Sequence, residues 1–148
     1  MADQLDPTLG DPQAYAFWNP VLLRFRDLDL LGHVNNVALA GWLEDGRVAI
    51  EMPIQPCTPD YTGPVIVLLE ARIRYLREIR FADQVEMGTR VQRIGTTSVV
   101  IGQGVFANGQ CAAMAEFTEV LIDPTTRKPT RWPAEFRAHF ERYLHRPG

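Results

Sequence analysis

Two aspartates, a histidine and a pair of asparagines fall within ten residues of one another, in Asp27-Leu28-Asp29-Leu30-Leu31-Gly32-His33-Val34-Asn35-Asn36. This polar loop runs into a stretch that reads as a helix beginning at the Asn35-Asn36 pair. The amino end of a helix carries backbone N–H groups without partners and attracts negative charge. A carboxylate-bearing loop at such a helix start is a candidate for chemistry, because negative charge is favoured there. Each residue also has a bland reading. Loop aspartates commonly close turns through their own side chains, a lone histidine more often hydrogen-bonds than catalyses, and both asparagines are good N-caps.

The remaining reactive inventory is small. Ser98 is the only serine, and no nucleophile-elbow glycines surround it. His33, His139 and His145 form no zinc spacing with one another or with Cys57 and Cys111, so no metal site is expected. No glycine-rich phosphate loop follows a strand.

Several elements must hold that loop in place. Val21 to Arg26 alternates weakly and reads as a first strand. Val37 to Leu43 carries no charge on any side, so the helix is expected to be buried all round; charge returns with Glu44, Asp45 and Arg47. Pro53, Pro56, Pro59, Gly63 and Pro64 make the segment from Met52 to Pro64 a long loop. Four strands follow. Val65 to Leu76 alternates with one apolar face (Val65, Val67, Leu69, Ala71, Ile73, Tyr75), and Val85 to Val91 alternates likewise. Thr97 to Phe106 is β-branched, with Gly102 and Gly104 marking bends or close approaches. Cys111 to Ile122 follows the hairpin signal Asn108-Gly109. Pro133 opens a terminal helix through Leu144. A single apolar helix among long antiparallel strands requires a sheet curved around it.

With 148 residues, 46% hydrophobic and 22% charged, the chain suits one globular domain. Residues 1–14, rich in Asp, Pro and Gly, read as a flexible N-terminal arm, and residues 15–148 as the single domain. The net charge of −3 does not favour nucleic acid. No apolar run suits a secretory signal or a bilayer, so no membrane partner is expected and the cytoplasm is the expected compartment.

Asp27-Leu28-Asp29, Gly32-His33-Val34-Asn35-Asn36 and Gly41-Trp42-Leu43-Glu44 together resemble the acyl-CoA thioesterases of the hotdog fold, most nearly the hydroxybenzoyl-CoA thioesterase branch. The pattern is also similar to plant acyl-ACP thioesterases. Arg93-Ile94-Gly95-Thr96-Thr97-Ser98 resembles the family's turn before its third long strand, and the likeness spans residues 20–125. It implies an α+β hotdog fold, a long curved antiparallel sheet wrapped around one central helix. Asp29 takes the place of the catalytic carboxylate, Asp27 the place of a loop support, and Asn36 the place of the amide that holds the thioester oxygen. His33 matches a histidine implicated in the plant enzymes and absent from the aromatic branch; Leu31 stands where the plant motif has asparagine. Asn35, Val37, Arg93, Gly95 and Thr96 are expected to meet substrate. The substrate would be a thioester of CoA or an acyl carrier protein, with CoA part of the substrate and no other cofactor. A homodimer or homotetramer would place the site between subunits.

A thioester leaves as a thiolate whose conjugate acid has a pKa of about 8.5, so expulsion needs little help. Addition at the carbonyl is the demanding step. Asp29 would serve as nucleophile or as general base, and composition leaves both open. Fourteen of the fifteen basic residues are arginine, which grips phosphate in bidentate fashion. Arg72, Arg74, Arg77, Arg80, Arg90 and Arg93 are available for CoA, Arg93 being best placed beside its turn. Two other readings share the scaffold: a hotdog dehydratase or hydratase using His33 with Glu44, and a non-catalytic acyl-CoA-binding protein.

Overall fold

The computed structural model describes residues 4–146. Five strands form one antiparallel sheet: β1 (Phe17–Val21), β2 (Val65–Tyr75), β3 (Val85–Ile94), β4 (Ser98–Ala107) and β5 (Gln110–Ile122). Their order is β1-β3-β4-β5-β2, so β2 forms an edge and the chain must cross beneath the sheet from Leu76 to Gln84 to begin β3. The long helix α1 (Asn36–Glu51) lies along the inner face, and the shorter α2 (Ala134–Glu141) closes one end. This is the hotdog arrangement. Asn108 and Gly109 both take positive φ (52° and 80°), the type I′ geometry whose twist joins β4 to β5 without splaying them.

The first strand lies earlier than its alternation suggests. β1 pairs Phe17 with Thr89 and Val21 with Val85, while Phe25–Asp27 forms a 3-10 turn. Pro20 is tolerated because β1 is an edge strand.

Helix α1 is not buried all round within the chain. Leu39, Trp42, Leu43, Gly46, Arg47 and Ile50 face the sheet, whereas Val37 is 75% exposed and Val48 is partly open. Closeness to the sheet is set at Gly46: a Cβ there would lie 2.5 Å from both Gln103 Nε2 and Met87 Cε. Gln103, itself fully buried, donates to Thr89 Oγ1 at 2.9 Å.

Strand β2 does not present one face throughout. Its register against β5 shifts between Leu68 and Glu70, and the extra residue, Leu69, reverses which side chains face inward. Ile66 therefore packs on the inner core ahead of the bulge and Ile73 beyond it, although one position is even and the other odd.

The N-terminal segment is not a loose arm over its described part. Two 3-10 turns, Pro7–Gly10 and Pro12–Ala14, lie on the outer sheet face. Leu5, Leu9 and Tyr15 are buried there with Phe106 and Met114. Gly104 is the close approach that its residue type suggests, since a Cβ would sit 2.6 Å from the Leu9 carbonyl. Residues 1–3 of the expected arm lie outside the described residues.

Beneath α1, Arg47 Nε donates to Glu119 Oε1 at 2.9 Å, and its guanidinium lies 3.9 Å from the Phe117 ring centroid. Glu51, one helical turn on, has its pKa pushed up to about 9, by burial first and then by the neighbouring Glu119 carboxylate; Arg47 opposes the rise. Buried Oε1 of Glu51 and Oε2 of Glu119 find no donor elsewhere among the described residues. One proton shared between the carboxyls relieves both. From about pH 4.5 to about 9 the folded chain keeps this proton while the unfolded chain loses it, so stability declines as pH rises through that window. Glu51→Gln is expected to flatten the decline, melting above the parent at the alkaline end and close to it at the acid end. Thermal melts across that range check this, at roughly 2–4 °C per kcal/mol.

Candidate active site

The loop before α1 is built by its own polar groups. Asp27 is buried, accepts from Arg24 N at 2.8 Å and pairs with Arg24 Nε at 3.6 Å. Its carbonyl receives Asn35 N at 2.8 Å and Asn35 Nδ2 at 3.0 Å. Asn35 Oδ1 in turn accepts from Ala38 N at 2.8 Å, the N-cap bond of α1. Asn35 thus fastens the loop to the helix with both side-chain polar atoms, which is a structural task. Asn35→Ala is expected to cost about 0.5–2 kcal/mol from the lost cap alone, read as a lower urea midpoint.

Asp29 does two things at once. Oδ1 accepts from Leu31 N at 2.8 Å and from His33 N at 3.3 Å, closing a turn around Gly32, whose φ is 77°. Oδ2 has no partner among the described residues. The turn therefore consumes one oxygen and holds the other in a defined direction. Asp29 lines a cleft of about 410 Å³ together with His33, Asn36, Leu39, Tyr75 and Glu78.

At the helix start, Leu39 N reaches Asn35 O at 3.2 Å and Ala38 N is capped by the Asn35 side chain. The amides of Asn36 and Val37 are left without an acceptor among the described residues, as the first turn of a helix requires. Two open N–H groups and one open carboxylate oxygen thus belong to the same short segment, and Asn36 shares the cleft with Asp29.

The other wall comes from the crossing segment after β2. Val34 N donates to Ile79 O at 2.8 Å, and His33 Nε2 lies 3.1 Å from Glu78 Oε2. Glu78 has no counterpart in the sequence reading; only the crossover brings it there, and no local pattern signals it. Glu44, which a dehydratase would pair with His33, is exposed further along α1 and lies outside the cleft.

Of the arginines expected to be available for CoA, Arg77 lines this cleft, whereas Arg93 does not. Arg93, Gly95 and Thr96 sit at the far end of β3, where Gly95 N bonds Ser98 O at 2.7 Å and Arg137 Nη1 donates to Gly95 O at 3.2 Å. Ten residues of strand set them about 30 Å from its beginning. Arg72 is held by Glu116 on the outer sheet face, and Arg90 is buried against the N-terminal segment. Among the described residues no cluster of three His, Cys, Asp or Glu side chains could hold a metal, and no helix is long and apolar enough to cross a membrane.

A curved antiparallel sheet wrapped around one long helix defines a hotdog protein. Comparison with known proteins agrees: the thioesterase-like superfamily pattern matches residues 23–140. The chain belongs to the thioesterase-like superfamily. It is similar to a Thermus thermophilus thioesterase solved in complex with coenzyme A and Zn, at 29% identity and a TM-score of 0.79, covering 91% of this chain and 99% of that one. A thioesterase-superfamily structure from a Jannaschia species is 26% identical with a TM-score of 0.77, covering 90% of this chain and 86% of that one. The uncharacterized protein YsmA of Bacillus subtilis (strain 168) is 20% identical over 123 residues, 82% of this chain and 83% of its own length.

Proposed function

We propose that the cleft hydrolyses an acyl-CoA thioester to the free acid and CoA. The observation that carries this reading is the free Oδ2 of Asp29 in the cleft it shares with Asn36, at whose helix end two amides are open. The thioester carbonyl binds with its oxygen toward the amides of Asn36 and Val37. One such donor is worth about 100- to 1,000-fold when it meets charge that develops in the transition state. Asp29 adds to the carbonyl carbon, or takes a proton from the water that does. The C–S bond then breaks and the thiolate departs with the electron pair. Direct attack leaves an acyl-aspartyl anhydride that water opens.

CoA, as the thiol, is supported by the coenzyme A bound to the Thermus relative. In this reading Arg77, which lines the cleft, meets its phosphates together with groups from a second copy. Strand β2 is an edge of 11 residues paired with another strand on one side only, with Leu68, Leu69 and Tyr75 exposed along it and Leu76 just beyond. An open apolar edge of that length is a pairing surface, and the Asp29 cleft lies beside its end. Release of free thiol from a panel of aliphatic and aromatic acyl-CoAs tests the reading. Turnover of at least one member is expected; stoichiometric binding without thiol release would reject it.

A further inference from the structure

A second cavity among the described residues is larger than the Asp29 cleft. It has a volume of about 580 Å³ and lies at the other sheet edge, between the start of β1, the middle of β3 and the segment after α2. Four strand spacings, about 19 Å, separate the two edges. Arg90, Arg142, His145 and Arg146 all line this cavity, and no Asp or Glu does among the described residues. That is an unusual wall for a chain of net charge −3.

Arg90 is the built part. Its side chain is only 2% exposed, and Nη2 bonds Asp6 Oδ2 at 2.9 Å and Thr8 Oγ1 at 2.7 Å. Nε and Nη1 are buried with no acceptor among the described residues. Those two nitrogens lie beneath the cavity surface, so Arg90 adds its positive charge from below while the exposed Arg142 and Arg146 present theirs directly. The other basic side chains are held on an anchored segment: Val91 N donates to Tyr143 O and His145 N to Val91 O, each at 2.8 Å. Beside them Phe17 and Tyr143 meet edge to face, 5.5 Å between ring centroids, giving an apolar wall next to the charged one.

We propose that this cavity binds a phosphorylated small molecule of nucleotide size, apart from the hydrolytic cleft. The volume falls in the range of small-ligand sites, arginines supply charge-assisted bonds to phosphate oxygens, and the aromatic wall takes a flat ring.

The test is calorimetric titration of the intact protein with ADP, inorganic pyrophosphate and adenosine. Saturable ADP binding is expected, weakened at least tenfold by R142A/R146A and unchanged in D29N. Pyrophosphate is expected to compete with ADP, and adenosine alone to bind far more weakly. Thioester hydrolysis by R142A/R146A stays at the parent rate, because neither arginine touches the Asp29 cleft. Absence of saturable ADP binding, equal affinity in R142A/R146A, or loss of binding in D29N would each overturn the proposal. So would adenosine binding as tightly as ADP, which would remove phosphate as the recognised group. The proposal stands or falls independently of thiol release.

Discussion

Asp29→Asn is expected to lower acyl-CoA hydrolysis by about 100- to 10,000-fold if the carboxylate acts as a base, and further if it attacks directly, with the melting temperature nearly unchanged. The asymmetry between its two oxygens is the reason. Oδ1 receives Leu31 N and His33 N, and an asparagine carbonyl can receive the same two bonds, so the turn survives. Oδ2 is the atom replaced by an NH₂ group that neither attacks nor accepts a proton. Thiol release against circular dichroism separates activity from folding, and an unchanged rate would discard the role assigned to Asp29. Turnover in ¹⁸O-water can reveal direct attack: label recovered in the peptide carrying Asp29 marks an anhydride opened by water at the aspartyl carbonyl, since a base never exchanges its oxygens with the product.

Arg47→Ala should produce the largest loss of stability, about 3–5 kcal/mol against a total of about 5–15 kcal/mol. Both side chains of the Arg47–Glu119 pair are over nine-tenths buried. Removing the cation leaves Glu119 without its donor and Glu51 without the one positive charge that opposes its raised pKa. The deficit should therefore deepen at alkaline pH. Denaturant midpoints at both ends of the window named above check this. Replacing both members, Arg47→Met with Glu119→Leu, should recover much of the loss, because no lone buried charge remains. If the single substitution proves neutral, the pair is not the fastening that its burial indicates.

Local signals carried well into three dimensions, and non-local ones did not. The start of α1 is written in Asn35-Asn36, the β4–β5 hairpin in Asn108-Gly109, and the loop after α1 in its prolines, because caps, turns and breakers act over a few residues. What depends on partners distant in sequence was hidden. The bulge at Leu69 exists only against β5, and it reverses a face that alternation alone reads as continuous. Glu78 reaches His33 because β2 lies at the edge and the chain must cross back. The exposed stripe of α1 through Val37 and Val48 looks apolar in sequence, yet the same chain does not cover it. Phe17-Trp18-Asn19-Pro20-Val21 gives no alternating signal, and β1 arises from its pairing with β3. The loop around Asp29 was legible as a motif; that its structural and chemical readings coexist, one oxygen each, was not.

The folding of Leu5 to Tyr15 across the outer face has an architectural result. That segment roofs the sheet over Gly88 and Gly104, where bare backbone would otherwise offer a flat platform. Back-to-back stacking of two molecules over this patch is obstructed unless the roof is lifted. Growth of any assembly is thereby steered toward the sheet's margins and the helical side, and trimming these leading residues should broaden the ways in which copies can aggregate.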